Sequence, residues 1–91
     1  ELGCAGCHPG PLFTDQQSYD VGTAGEFDRK TRSFDTPTLV EIRRTAPYLH
    51  DGSAATVRDV LTHKNKDDLH GKTSHLNADQ ILDLCAYLLS L

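Results

Sequence analysis

The chain has 91 residues, which is too few for more than one domain, so we expect residues 1–91 to form a single domain with a small core. Its formal net charge is −4 and it has no basic run, which argues against a nucleic-acid partner. No apolar run approaches the roughly 20 residues that cross a bilayer, so no membrane span is expected. Without a signal peptide or an initiating Met, the sequence is that of a mature protein or of a piece of a longer one.

The first motif along the chain is "CAGCH", residues 4–8. Cysteines at positions i and i+3 lie on one face of a helical turn, where two thiols can add to the two vinyl groups of one porphyrin. The pattern predicts one covalently attached haem c, held by Cys4 and Cys7, with His8 as the proximal iron ligand. A zinc half-site and a thioredoxin-like redox pair are the alternatives. Zinc would need further ligands, which Cys85 and the scattered histidines do not supply in a regular spacing.

Two prolines follow the motif and fix the direction in which the chain leaves it. We expect a carbonyl of this stretch, that of Pro11, to accept the Nδ1–H of His8, because such a bond fixes the tautomer of a metal-binding imidazole. Pro11 is therefore included among the cofactor-binding residues. The alternative is that Pro9 and Pro11 only end the turn.

Residues 10–35 show neither the helical nor the strand period, and they predict a long loop. A loop of this length is unusual unless it packs on something, and we expect it to wrap one edge of the haem. Its apolar residues would make that contact: Leu12, Phe13, Tyr19, Val21, Phe27 and Phe34.

Three helix starts follow. Thr36 and Pro37 predict a helix that ends near Ala46, before a further proline. "TVRD", residues 56–59, predicts a capping box and a helix that ends between residues 63 and 65.

The last helix is predicted from Asn77 as the cap, with Gln80 reaching back to it. Its inner stripe comprises Ile81, Leu84, Cys85 and Leu88. No strand pattern is evident, so the predicted fold class is all-α: a small helical domain with long loops around one haem.

Taken together, "CAGCH", "TPTLVEIRRTAPYLHDGSAATVRDVL" and "ADQILDLCAYLLSL" resemble the cytochrome c-like domains of the bacterial di-haem cytochrome c peroxidase family. The resemblance implies a cytochrome c-like fold of the C-terminal, single-haem type and a periplasmic or otherwise extracytoplasmic location. It implies the same roles for Cys4, Cys7 and His8, and a structural role for the "HDG" segment, residues 50–52.

The sequence departs from this family in two ways. It contains one C-x-x-C-H motif where the peroxidases bind two haems, and it has no Met, which excludes the family's His–Met iron ligation. The position nearest the family's methionine is Lys64, beside His63. In small cytochromes c the second ligand comes from the loop before the last helix, so we expect His70, with Gly71 allowing close approach of the backbone. His63 is the second choice, and Lys64, His75 and an open site remain alternatives.

These expectations predict one-electron transfer through a bis-histidine, low-spin haem whose potential is lower than that of a His–Met centre. No catalytic residue is predicted, because nothing places Glu26 or Glu41 over the iron. The expected partner is a redox protein with a basic or neutral docking face. Cations that could pair with the haem propionates are Lys30, Arg32, Arg43 and Arg44.

A piece of a larger di-haem or multi-haem peroxidase-type assembly is the alternative. Only three residues precede Cys4, so the N-terminal helix of an ordinary cytochrome c domain is expected to be missing. Part of the stripe between Ile81 and Leu88 would then be uncovered, ready for self-association or for a domain of a parent protein. A haem-based sensor of gases or peroxide is a third possibility.

Overall fold

The computed structural model describes residues 2–28 and 31–91, and its regular elements are short. They are helix α1 (Cys4–Cys7), strands β1 (Ser18–Tyr19) and β2 (Phe34–Asp35), a 3₁₀ turn (Ile42–Arg44), and helices α2 (Val57–Leu61) and α3 (Ala78–Leu89). Long irregular segments connect them, as predicted. Among the described residues, no helix combines the length and the apolar character that crossing a bilayer requires.

The two strands correct the all-α prediction. β1 and β2 pair antiparallel with Ser18 opposite Asp35, and the ladder continues where the Thr36 N–H donates to the Gln17 carbonyl at 2.8 Å. The fold is therefore three helices with a small sheet. Strands of two residues are too short to produce an alternating pattern, which is why the sequence did not indicate them.

The helix predicted between Pro37 and Ala46 is wrong, since this region contains only the 3₁₀ turn Ile42–Arg44. The hydrogen bonds of Thr38 explain why no helix forms here. Its hydroxyl donates to the carbonyl of Leu12 and accepts from the Val40 N–H at 3.2 Å, so it bonds to the backbone locally and to a distant loop. Threonines that bond in this way offer the backbone an alternative to helical hydrogen bonds.

Both predicted capping boxes are confirmed. The Thr56 hydroxyl accepts from the Asp59 N–H at 3.1 Å, and the Asp59 carboxylate accepts from the Thr56 N–H at 3.2 Å. Asn77 and Gln80 form the equivalent pair at the start of α3, with both bonds at 2.9 Å. α2 is shorter than predicted and ends at Leu61.

The core lies between α2, α3 and the 3₁₀ turn. Its buried apolar residues are Ile42, Val57, Leu61, Ile81 and Cys85, and Leu39, Tyr48, Leu76, Leu84 and Leu88 pack against them. The predicted inner stripe of α3 is thus confirmed. Other apolar side chains of α3 stay exposed, namely Leu82, Tyr87 and Leu89.

Candidate haem site

Helix α1 is a single turn that carries the two cysteines. Cys4 and Cys7 are half-buried and their thiols are not bridged. The His8 N–H donates to the Cys4 carbonyl at 2.9 Å and closes the turn. Residues i and i+3 of a helix lie on one face, so the two thiols project on the same side of the chain.

The His8 ring is held through Nδ1, which lies 2.9 Å from the carbonyl oxygen of Phe13. A carbonyl oxygen only accepts hydrogen bonds, so Nδ1 carries the proton and Nε2 keeps the lone pair that a metal ligand needs. The acceptor is thus Phe13 and not Pro11, which corrects the prediction. The chain turns back at Phe13, where φ is 56°, and the Asp15 N–H then donates to the Cys7 carbonyl at 3.0 Å.

His70 places its ring next to that of His8, with centroids 6.4 Å apart and planes at 28°. Metal–imidazole nitrogen bonds are about 2 Å long, so two imidazoles on opposite sides of one ion have centroids about 6 Å apart. Burial lowers the pKa of His70, and the neighbouring His8 lowers it to a smaller extent. A lowered pKa favours the neutral imidazole, the form that has a lone pair for a metal.

The Nδ1 atom of His70 is buried and has no hydrogen-bond partner among the described residues. A buried polar atom without a partner is costly, and a group bound from outside the polypeptide would remove that cost. Two unbridged thiols on one turn and two adjacent imidazoles are donors that a covalently attached haem with two histidine ligands would use. The residues present therefore fit this cofactor.

The loop that carries His70 lies against the N-terminal segment that contains helix α1. The Lys72 N–H donates to the Leu2 carbonyl at 2.8 Å. Gly71 has a φ of 82°, and an added Cβ would lie 3.2 Å from the Leu2 carbonyl oxygen and 3.5 Å from the Cys4 sulfur. Gly71 thus permits a close approach of the backbone, as predicted, and the group it approaches here is the N-terminal segment at Leu2 and Cys4.

The other candidate ligands lie at the surface. His63, the second choice, has a side chain that is 80% exposed, and its Nδ1 lies 3.4 Å from an Asp59 carboxylate oxygen. His75 and Lys64 are also exposed. The His63 ring thus has a local partner in Asp59 and does not lie beside His8.

The "HDG" segment forms a tertiary contact. His50 Nε2 lies 2.9 Å from an Asp28 carboxylate oxygen, and its ring stacks on Phe34 with centroids 3.6 Å apart. The Gly25 N–H and then His50 lower the pKa of Asp28. These contacts link loop 20–28 to strand β2 and to residues 50–52.

Of the cations considered for the propionates, two have carboxylate partners. Arg32 lies 3.7 Å from Asp20 and Arg44 lies 3.9 Å from Glu41, both at the surface. Arg43 is exposed. Lys30 lies outside the described residues.

Two contacts of the site were not predicted from the sequence. The Phe13 carbonyl has no sequence signal, because every residue has a carbonyl. Asn65 accepts the His70 N–H at 2.9 Å. The polar run "NKDDLHGKTS" could have indicated it, since Asn, Asp, Thr and Ser side chains commonly bond to nearby backbone.

No family model matches the chain, but individual proteins do. Hydrazine synthase subunit gamma of Kuenenia stuttgartiensis is 34% identical over 132 residues and matches 100% of this chain. Methylamine utilization protein MauG of Methylorubrum extorquens is 34% identical and matches 69% of it. Cytochrome c551 peroxidase of Nitrosomonas europaea is 29% identical and matches 98% of it.

A solved structure of Kuenenia stuttgartiensis hydrazine synthase superposes on 99% of the chain with a TM-score of 0.86 and 31% identity. The chain spans only part of these relatives: 42% of the solved chain, 37% of the gamma subunit, 30% of the peroxidase and 21% of MauG. The cysteine and histidine motif, its geometry and these relatives agree: the chain is a c-type cytochrome-related domain that resembles the bacterial di-haem cytochrome c peroxidase family.

Proposed function

We propose that residues 1–91 are one domain that transfers single electrons through one covalently attached haem c. Cys4 and Cys7 are the attachment residues, and His8 and His70 are the axial ligands. When bound, haem c supplies reversible one-electron oxidation and reduction at its iron. Two imidazole ligands leave no open coordination position, which favours electron transfer over chemistry on a substrate.

One observation carries this proposal: the rings of His8 and His70 lie 6.4 Å apart, the spacing of two imidazoles around one metal ion. The surroundings of each ring favour a form that has a free nitrogen for a metal. The Phe13 carbonyl holds the proton of His8 on Nδ1. Burial lowers the pKa of His70 and so favours its neutral form.

A bis-histidine centre has a specific spectroscopic consequence. In holoprotein made with haem-attachment machinery, we expect mass spectrometry to find one bound haem and electron paramagnetic resonance to show low-spin ferric iron. His70→Ala should convert the signal to high-spin, while the matched variant His63→Ala should leave it unchanged. Bare polypeptide, a high-spin wild type, or a low-spin His70→Ala would contradict the proposal.

The second candidate function places this domain inside a larger multi-haem redox assembly. The observation in its favour is that the matched part makes up only 37%, 21% and 30% of the length of three relatives. In this setting the domain passes electrons to or from another haem, and the exposed apolar side chains of α3 contact the neighbouring domain or subunit. We propose an extracytoplasmic location, by resemblance to the peroxidase family.

The two candidates differ in what accepts the electrons. A carrier acting alone should exchange electrons rapidly with a soluble redox protein that has a basic or neutral face. A domain of an assembly should do so slowly in isolation and faster when the rest of the assembly is present. Stopped-flow reduction with and without the flanking part of the natural protein distinguishes them.

A further inference from the structure

Asn65 is only 4% exposed, and its side-chain amide bonds to three points of the loop that carries His70. Its oxygen accepts the His70 N–H at 2.9 Å. Its nitrogen donates to the Gly71 carbonyl and to the Thr73 hydroxyl, both at 2.9 Å. Both N–H groups of the amide are therefore used, which orients it unambiguously.

Thr73 continues the network towards the core. It is also 4% exposed, and its hydroxyl donates to the carbonyl of Leu61 at 2.8 Å. Leu61 is the last residue of α2 and belongs to the buried core. A continuous line of hydrogen bonds thus joins the end of α2 to the His70 backbone through Thr73 and Asn65; the two bonds of Thr73 are buried and the bond to His70 is half-buried. Buried networks in which every member has a partner hold their groups rigidly.

The ring and the backbone of His70 differ in their hydrogen bonding. Its Nδ1 has no partner among the described side chains and carbonyls, whereas the backbone N–H of the same residue is bonded to Asn65. His8 is the opposite case, because its ring is bonded directly to Phe13. The position of the His70 imidazole therefore depends on where its backbone is held.

We infer that Asn65, supported by Thr73, is a positioning residue for His70: it sets how firmly the second imidazole stays in reach of the iron. The inference rests on the proposed bis-histidine function. Asn65 itself does not touch the haem in this account, and it acts through the loop backbone. Removal of the Asn65 amide should raise the rate at which the His70 ring dissociates from the iron, although His70 itself is still present as a ligand.

Carbon monoxide binding to the reduced holoprotein measures this rate, because the gas can bind only where an axial imidazole has left. We expect Asn65→Ala to bind carbon monoxide about tenfold faster than wild type, as follows from the loss of a buried hydrogen bond of ordinary strength. Asn77→Ala is the matched control. It removes another asparagine that bonds to backbone, at the start of α3 and outside the His70 loop, and should keep the wild-type rate.

Thr73→Val keeps the shape of the side chain and removes only its hydroxyl, so it provides a second test if Asn65→Ala does not fold. We expect a smaller acceleration, about threefold. In a His70→Ala background, adding Asn65→Ala should change nothing, because the ring through which Asn65 acts is gone. This non-additivity separates positioning from general destabilisation.

The outcomes distinguish the inference from the proposed function. A wild type that binds carbon monoxide as fast as His70→Ala contradicts bis-histidine ligation itself. If His70→Ala is fast while Asn65→Ala and Thr73→Val both keep the wild-type rate, ligation stands and the inference is overturned. An equal acceleration by Asn77→Ala also overturns it.

Discussion

At the scale of single residues, His8 and His70 show the same side chain held in two different ways. His8 is fixed through its ring, by the carbonyl of Phe13, and His70 through its backbone, by Asn65. A ring whose second nitrogen donates to a carbonyl is a stronger electron donor to a metal than one without such an acceptor. The two proposed ligands are therefore unequal, and His70 is the one expected to leave first.

Replacing one imidazole by a thioether tests the ligand assignment through the potential. His70→Met should raise the midpoint potential, on the order of 100 mV within the range of about 0.8 V that axial ligands span. Spectroelectrochemical titration of the holoprotein measures it. The matched variant His75→Met, at an exposed position of the same loop, should leave the potential unchanged, and an equal shift in both variants would argue against His70 as a ligand.

Tyr19 offers a second residue-scale prediction. Its hydroxyl donates to an Asp15 carboxylate oxygen at 2.5 Å, and this bond raises the pKa of Tyr19 to about 12. Because the folded-state pKa is raised, the contribution to stability is present below the ordinary tyrosine pKa of about 10 and is lost as pH rises towards 12. NMR titration of the Tyr19 ring should give this value, and Asp15→Asn should lower it. An ordinary value in the wild type would show that the bond is absent in solution.

At the scale of elements, the loop between α2 and α3 depends on Gly71. Its φ of 82° is a conformation that L side chains rarely adopt, and a Cβ there would press on the Leu2 carbonyl at 3.2 Å. The loop also donates to that carbonyl through the Lys72 N–H. The N-terminal segment with helix α1 and the His70 loop thus pack against each other, although more than 60 residues separate Cys7 from His70 along the chain.

Gly71→Ala should therefore disturb both stability and ligation. We expect a loss of about 1–2 kcal/mol in unfolding free energy, together with a larger high-spin fraction in the ferric protein. Chemical denaturation and absorption spectra measure the two effects. Gly10→Ala is the control, because a Cβ there meets nothing within 4 Å, and it should change neither quantity appreciably. A fully stable, low-spin Gly71→Ala protein would contradict this account of the loop.

At the scale of the whole molecule, the core is small and one side of α3 is left uncovered. Leu82 is 51% exposed and Leu89 is 41% exposed, and their spacing of seven residues places them on the same side of this helix. Apolar side chains grouped on one exposed surface commonly mark an interface. This agrees with the proposal that the domain works inside a larger assembly.

The uncovered side of α3 leads to a prediction about association. The isolated holoprotein should self-associate, or bind an apolar dye, at micromolar concentration, and the double variant Leu82→Glu with Leu89→Glu should lose both properties. Sedimentation velocity and dye fluorescence measure them. Asp79→Glu, at an exposed acidic position of the same helix, is the control and should behave like the wild type. A monomeric wild type that binds no dye would count against this interface.

The sequence by itself determined the features that depend on residues within one or two turns of each other. The i, i+3 cysteines followed by a histidine, the two capping boxes and the inner stripe of α3 are local patterns, so spacing alone was enough to predict them. Short strands and the 3₁₀ turn escaped prediction because contacts from distant loops decided them.

Only the tertiary structure decided which imidazole lies beside His8, which carbonyl holds its proton, and that Asn65 holds the His70 loop. The contact between His8 and His70 joins residues that are far apart in sequence. The other contacts use a backbone carbonyl or N–H, a group that nearly every residue has, so no residue pattern marks them. Composition had already excluded methionine as a ligand, but choosing among the histidines required knowing how the chain folds back on its first turn.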